Sequence, residues 1–149
     1  MTVRPNQLQI GLRVNFESLL WLAQKAVPLM VDGGHIVAMS SLGSSRVLPA
    51  YGAIGPTKSA LESLVRYLAY ELRPRGILVN AVSGGLVLTD AIDAFPQKDE
   101  VIRDTIARTP AGRAGEPRDL ARIVGFLVSP AAEWICGQTI VADGGLSLG

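Results

Sequence analysis

Cysteine, histidine and aromatic rings are all scarce in this sequence of 149 residues, and each scarcity excludes something. The single cysteine, Cys136, has no partner for an internal disulfide, which suits a reducing compartment. It reads as a small buried hydrophobe. One histidine and one cysteine cannot make an ordinary structural or catalytic metal site, so no metal is expected. His35 stands beside Gly33-Gly34 at the start of an apolar run and reads as structural, which removes a serine–histidine–aspartate triad. Charge is sparse as well: 18% of residues are charged and the net charge is +1. No Lys/Arg stripe points to nucleic acid, and no acidic tail is present. No apolar run approaches the ~20 residues that cross a bilayer. Met1-Thr2-Val3-Arg4-Pro5 carries no apolar signal-peptide core, so no membrane partner is expected and a cytoplasmic location is. A Gly-rich phosphate loop, G-x-G-x-x-G between a strand and a helix, is also missing. Gly33-Gly34 precedes a strand and reads as a turn; Gly84-Gly85 follows one but lacks the spacing.

What is present is enough apolar sequence, 48%, for the core of one domain over 1–149. Leu12, Phe16, Leu19, Leu20, Ala23, Val27 and Met30 form an apolar stripe that predicts a helix over 6–30. A short buried strand is expected over 35–40, then a loop over 41–50 punctuated by Gly43 and Pro49. Leu61, Leu64, Val65, Leu68 and Leu72 keep the 3.6-residue period of a helix over 51–73, which Pro74 and Gly76 end. Glu62 and Arg66 stand four apart in the favourable order for an ion pair on that helix. A strand follows over 77–82, with Ser83-Gly84-Gly85 turning out of it. Residues 90–113 are polar, contain Pro96 and Pro110, and read as a flap carrying one short helix. A further helix opens at Glu116-Pro117 with Leu120, Ile123, Val124 and Leu127 inward, and a last strand covers 138–142. Strands alternating with helices predict an α/β fold: three parallel strands with flanking helices, part of a doubly wound, Rossmann-like sheet. Its strand over 35–40 should present an unpaired, association-prone edge.

The chemistry concentrates in Tyr51-Gly52-Ala53-Ile54-Gly55-Pro56-Thr57-Lys58, preceded by Ser40-Ser41-Leu42-Gly43 and followed by Asn80-Ala81-Val82-Ser83-Gly84-Gly85. A phenol with an ammonium nearby can donate a proton, because the positive charge favours the phenolate. On a helix over 51–73, Lys58 would lie two turns beyond Tyr51 on the same face.

In these motifs the chain resembles the C-terminal part of a short-chain dehydrogenase/reductase, and within that superfamily the enoyl-acyl carrier protein reductases. Most members place three residues between tyrosine and lysine; the enoyl reductases place six, as Tyr51 and Lys58 do. Val14-Asn15, Gly34-His35-Ile36-Val37, Lys58-Ser59-Ala60-Leu61-Glu62, Gly76-Ile77-Leu78-Val79-Asn80-Ala81, Thr109-Pro110-Ala111-Gly112-Arg113, Gly137-Gln138-Thr139-Ile140 and Asp143-Gly144-Gly145 extend the likeness over nearly the whole chain. The family's first half, with its pyrophosphate and adenosine contacts, has no counterpart here.

The resemblance implies NADH- or NADPH-dependent reduction of a trans-2-enoyl thioester, an acyl thioester that acyl carrier protein could carry. Tyr51 would stabilise the enolate. Lys58 would bind the nicotinamide ribose and act on the phenol. Ser41 matches the serine that hydrogen-bonds the substrate carbonyl in ordinary members. Asn15 matches the asparagine whose backbone holds a relay water; on its own chemistry it could equally be structural, bonded to a neighbouring strand. Gly85, Leu86, Val87 and Thr89 match the loop that holds the nicotinamide carboxamide, with Gly84-Gly85 in place of the usual Pro-Gly; Thr89-Asp90 also reads as an ordinary helix cap. The flap over 90–113 would bind substrate, and the helices over 6–30 and 51–73 would pair with a second copy in a homo-oligomer. Reduction of a ketone by Ser41 and Tyr51, or a non-catalytic fragment that only associates, are the other readings.

Overall fold

The computed structural model describes residues 3–90, 92 and 97–149. Three strands, β1 (Gly34–Ser41), β2 (Ile77–Gly84) and β3 (Thr139–Ala142), form one parallel sheet in the order β1-β2-β3. The register runs from Gly34↔Ile77 to Ser41↔Gly84, and from Ala81↔Thr139 to Gly84↔Ala142. Each connection passes through helix: α3 (Gly55–Leu72) between β1 and β2, then α4 (Lys98–Arg108) and α5 (Pro117–Leu127) between β2 and β3. This is the expected parallel α/β arrangement.

All eight residues of β2 are buried, as befits a strand covered on both faces. Alternation sorts its side chains. Ile77, Val79 and Ala81 pack with Leu61, Val65, Leu68 and Ala69 of α3 and with Ala23. Val82 packs on the opposite side with Leu127 and Ala132. Each large aliphatic side chain sealed in these layers contributes about 1.5–3 kcal/mol relative to exposure. Asn80, 1% exposed at the centre of β2, would be costly without partners. Its Nδ2 donates to Ile135 O (2.8 Å), and its Oδ1 accepts from Gln138 N (2.9 Å), which steers the chain into β3.

The first helical segment departs from the single helix expected over 6–30. It consists of α1 (Pro5–Leu12), a π turn (Arg13–Glu17) and α2 (Ser18–Ala26). The Ser18 N–H reaches back to Arg13 O, and the Ser18 hydroxyl donates to Val14 O (2.5 Å), so a side chain satisfies a carbonyl near the wide turn. Pro28 then converts the end into a 3₁₀ turn, Val27–Leu29. Beside α3, Gly11 lets α1 approach: a Cβ there would stand 2.9 Å from Ala53 O.

The second expected helix also starts late. Residues 51–54 form a turn, with Gly55 N and Ile54 N both donating to Tyr51 O (2.8 and 2.9 Å), and α3 begins at Gly55. Pro56 in the first helical turn needs no N–H there and favours a start at that point. Tyr51 is therefore not helical, and the helical face expected to carry both Tyr51 and Lys58 does not exist. At its far end α3 stops at Leu72, and Gly76 takes the left-handed conformation (φ 71°) that lets the chain enter β2.

β1 is paired only with β2 among the described residues, so the edge expected at 35–40 is open. Of the flap expected over 90–113, residues 91 and 93–96 lie outside the described residues. The remainder contains α4 and a turn, with Thr109 buried and its hydroxyl bonded to Thr105 O (2.7 Å).

Candidate active site

Parallel strands bring their carboxyl ends to one edge of the sheet, and the candidate residues gather there. Ser41 ends β1 and accepts a hydrogen bond from Gly43 N (3.3 Å) as a 3₁₀ turn, Leu42–Ser44, begins. The Tyr51 ring, half-buried, lies against Gly43. Lys58, in the first turns of α3, turns its ammonium to Met39 O (2.7 Å). Ser41 is thus bracketed along the chain: the lysine is anchored two residues before it and the phenol ring rests two residues after it. Burial holds the Lys58 pKa below the ordinary lysine value. One of the three ammonium donors is used on Met39 O, which leaves others for a ligand.

Asn15 sits one step behind. Its Nδ2 donates to Thr57 Oγ1 (2.8 Å), and Thr57 in turn donates to Ile54 O (2.7 Å). Its partner is therefore a helix, not the neighbouring strand that a structural asparagine was expected to meet. Thr57 is wholly buried and precedes Lys58, so the π turn of the first helix is tied to the base of the Tyr51–Lys58 segment. Sequence reasoning passed over Thr57; a threonine beside a candidate lysine carries no signal until its partner, 42 residues away, is known.

Ser40, next to Ser41, is 9% exposed and donates to Glu62 Oε1. Glu62 was expected to face Arg66 on α3; it binds the strand instead. Lys58 and Glu62, one turn apart, thus clasp consecutive residues of β1, Met39 and Ser40.

The third expected group follows β2. Register pairs Ser41 with Gly84, which places Gly85 beside the serine's strand end. Gly85 N donates to Ala142 O (3.3 Å), and a Cβ on Gly85 would stand 2.9 Å from Asp143 Cβ, so the loop passes close over the turn after β3. Leu86 and Val87 are half-buried and pair with Gly115: Gly115 N donates to Leu86 O (2.8 Å) and Leu88 N to Gly115 O (3.0 Å). Thr89 is exposed beyond them. This loop and the segment 111–115 border a cleft of about 220 Å³. A larger opening of about 470 Å³ lies beside Tyr51, walled by Gly43, Arg46, Leu48 and Ser59 among others.

A charged clasp closes the first cleft on the flap side. Arg113 donates to both oxygens of Asp119 (2.7 and 3.0 Å), and Glu116 N donates to Asp119 Oδ2 (2.8 Å). The hydrogen bond from Arg113, with that from the backbone of Glu116, holds the Asp119 carboxyl well below the usual carboxylate range. Burial alone would raise Asp143, but hydrogen bonds from the Ser147 hydroxyl and from Gly145 and Ser147 N–H outweigh it and keep that carboxyl lowered. Sequence inspection singled out neither acid for such a role. His35 stays away from this edge, and among the described residues no cluster of potential ligands could hold a metal. Cys136 is half-buried rather than fully enclosed and packs against the α3 side of the core. No helix is long and apolar enough to cross a membrane among the described residues.

The family model described as Enoyl-(Acyl carrier protein) reductase matches residues 1–147. The chain is 42% identical over 146 residues to 1-cyclohexenylcarbonyl-CoA reductase of Streptomyces collinus, covering 97% of this chain and 52% of that protein. It superposes with a TM-score of 0.93 and 30% identity on the Bacillus cereus enoyl-acyl carrier protein reductase solved with NADP+ and indole naphthyridinone, covering 99% of this chain and 58% of that one. A gluconate 5-dehydrogenase from Burkholderia cenocepacia, solved with NADP and tartrate, gives a TM-score of 0.93 at 27% identity, with 99% and 59% covered. The chain therefore belongs to this family of the short-chain dehydrogenase/reductase superfamily, and it spans about half the length of the relatives it matches.

Proposed function

We propose that this chain contributes the catalytic half of an NADH- or NADPH-dependent reductase of trans-2-enoyl thioesters. The observation that carries the reading is the spacing of six between Tyr51 and Lys58, which places the phenol in a turn ahead of α3 while the ammonium reaches the end of β1. The matched family model and the Streptomyces relative, whose named substrate is itself an α,β-unsaturated thioester, support it.

The residues present suit the nicotinamide end of the cofactor. The Lys58 ammonium is partly buried with donors to spare for ribose hydroxyls, and the backbone of Gly85, Leu86 and Val87, with the Thr89 hydroxyl, offers donors and acceptors to a carboxamide. Bound there, the nicotinamide would supply a hydride to the β-carbon of the enoyl group. Tyr51 would donate its phenolic hydrogen to the thioester oxygen, where negative charge grows only as the reaction proceeds. Lys58 would hold positive charge near the phenol and so favour proton release from it. Ser41 would offer a second hydroxyl to the same oxygen, and Asn15, tied to Thr57, would steady the relay behind Lys58. Residues 90–113 would cover the acyl chain, on coenzyme A or on acyl carrier protein, in a cytoplasmic enzyme of fatty acid synthesis.

The outer faces of α1, α2 and α3 suit the proposed homo-oligomer. They expose Leu22 (68%) and Tyr70 (85%), large apolar groups that a second copy would cover. A ketone-reducing activity is the second reading, favoured by Ser41 standing at the strand end, bonded to the N–H of Gly43, the residue against which the Tyr51 ring lies. In the protein supplied with its cofactor site, turnover of crotonyl-CoA against acetoacetyl-CoA, followed as NADPH and NADH consumption, separates them. Preference for crotonyl-CoA supports the enoyl reading and preference for acetoacetyl-CoA refutes it. No turnover of either, with self-association intact, supports a fragment that only associates.

A further inference from the structure

The turn that carries Tyr51 leaves the phenol without the support a helix would give it, and the sequence compensates at two glycines. A Cβ built on Gly43 would stand 2.6 Å from Tyr51 Cε1 and nearer still to Cδ1, whereas its next neighbour, Leu48 Cδ1, is 3.4 Å away. A Cβ on Gly55 would stand 2.5 Å from Gly43 O. Neither glycine adopts a positive φ, so the backbone conformation does not demand glycine at either place. The demand is steric: the Cδ1–Cε1 edge of the ring lies against Gly43, and Gly43 is in turn pressed onto Gly55. Real Cβ atoms do not approach neighbours this closely, and a half-buried ring or a backbone carbonyl cannot swing aside as a lysine tip can.

We propose that Gly43 and Gly55 are positioning residues that seat the Tyr51 ring and thereby set where its hydroxyl stands relative to Ser41 and Lys58. The proposal rests on the reading of Tyr51 as proton donor. The stack is continuous: Ser41 accepts from Gly43 N, Gly43 carries the Tyr51 ring and packs on Gly55, and Gly55 opens the helix that bears Lys58. A side chain at position 43 would lift the phenol off this stack while leaving Lys58 on Met39 O. The extra residues between tyrosine and lysine thus come with a floor built for the ring.

The chain supplies its own controls, because its only other tyrosines, Tyr67 and Tyr70, are exposed on α3 (67% and 85%). Nitration by tetranitromethane attacks the ring carbons beside the hydroxyl, and one of these, Cε1, faces Gly43. In the unaltered protein Tyr51 should react more slowly than Tyr67, read peptide by peptide by mass spectrometry. In Gly43→Ala the Tyr51 rate should rise severalfold while Tyr67 and Tyr70 keep theirs. A rise at all three tyrosines, or no change at Tyr51, overturns the seat. Thermal melts give a second readout. Gly43→Ala should lower Tm by about 2–12 °C from overpacking, but by much less when Tyr51→Ala has removed the ring. An equal loss in both backgrounds overturns the seat, since the strain would not come from the phenol. In turnover of the protein supplied with its cofactor site, Gly43→Ala should lower kcat by roughly 10²-fold, the scale of a displacement near 1 Å, with KM for the nicotinamide cofactor little changed. Unchanged kcat despite faster Tyr51 nitration overturns the positioning role. Full turnover by Tyr51→Phe would instead refute the phenol's role and leave the seat standing.

Discussion

Thr57→Val tests whether the first helix is locked to the Tyr51–Lys58 segment. Valine has nearly the shape of threonine, and its helix propensity is close, so no cavity and little backbone penalty arise. What is lost is the hydroxyl that accepts from Asn15 Nδ2 at 2.8 Å and donates to Ile54 O at 2.7 Å. Thr57 is 0% exposed, so water cannot replace it. Two hydrogen bonds of ~0.5–1.5 kcal/mol each, together with an Asn15 amide left half-buried without this partner, place the loss at about 2–4 kcal/mol. For a chain of this size that is a fall in Tm of about 4–16 °C. Urea or thermal unfolding measures it, and Asn15→Ala completes a double-mutant cycle. The two substitutions remove the same bond, so their combined cost should fall short of the sum by about 1 kcal/mol. A Thr57→Val loss below about 0.5 kcal/mol, or strict additivity with Asn15→Ala, would refute the lock, because a surface-like substitution gives that result.

In the protein supplied with its cofactor site, Tyr51→Phe should lower kcat by ~10²–10⁴-fold with cofactor affinity nearly kept, whereas Lys58→Ala should weaken both; near-normal turnover in both variants would make the pair structural. Calorimetric titration of the 149-residue chain with NADH and NADPH should show weak binding, since the sequence has no Gly-rich phosphate loop at a helix N-terminus; micromolar affinity in a monodisperse sample would contradict this. The Asp119 carboxyl is lowered in the fold from 3.8, so its stabilisation is fully present above that pH and lost as pH falls through the lower folded value. The Tm gap between the unaltered chain and Asp119→Asn should hold from neutral pH to mildly acidic pH and close below pH 3.8; a gap independent of pH would show that the Arg113 clasp does not act through charge. Light scattering should find dimers or larger species, given the open β1 edge and exposed Leu22 and Tyr70; a concentration-independent monomer would show that these surfaces do not associate.

Local pattern alone determined much of this protein. The apolar runs ending in Ser40-Ser41 and Ser83-Gly84, and the 3.6-residue spacing from Leu61 to Leu72, marked the parallel strands and the helix between them. Parallel strands necessarily bring Ser41 and Gly85 to a common edge, so the location of the candidate site followed from the order of elements. Tertiary structure decided what stands within that edge. Tyr51 leaves the helix because Pro56 favours a later start and because its ring finds a floor on Gly43, eight residues back. Glu62 turns from Arg66 to Ser40 because a buried hydroxyl needs a partner more than an exposed arginine does. Asn15 meets Thr57 only where Gly11 lets two helices touch, and Arg113 meets Asp119 across the start of α5. Periodicity records which face of an element is apolar; it does not record which polar atom on one element will find its complement on another. That pairing is set by distances of a few ångströms between segments far apart in the chain, and it exists only after the core has closed.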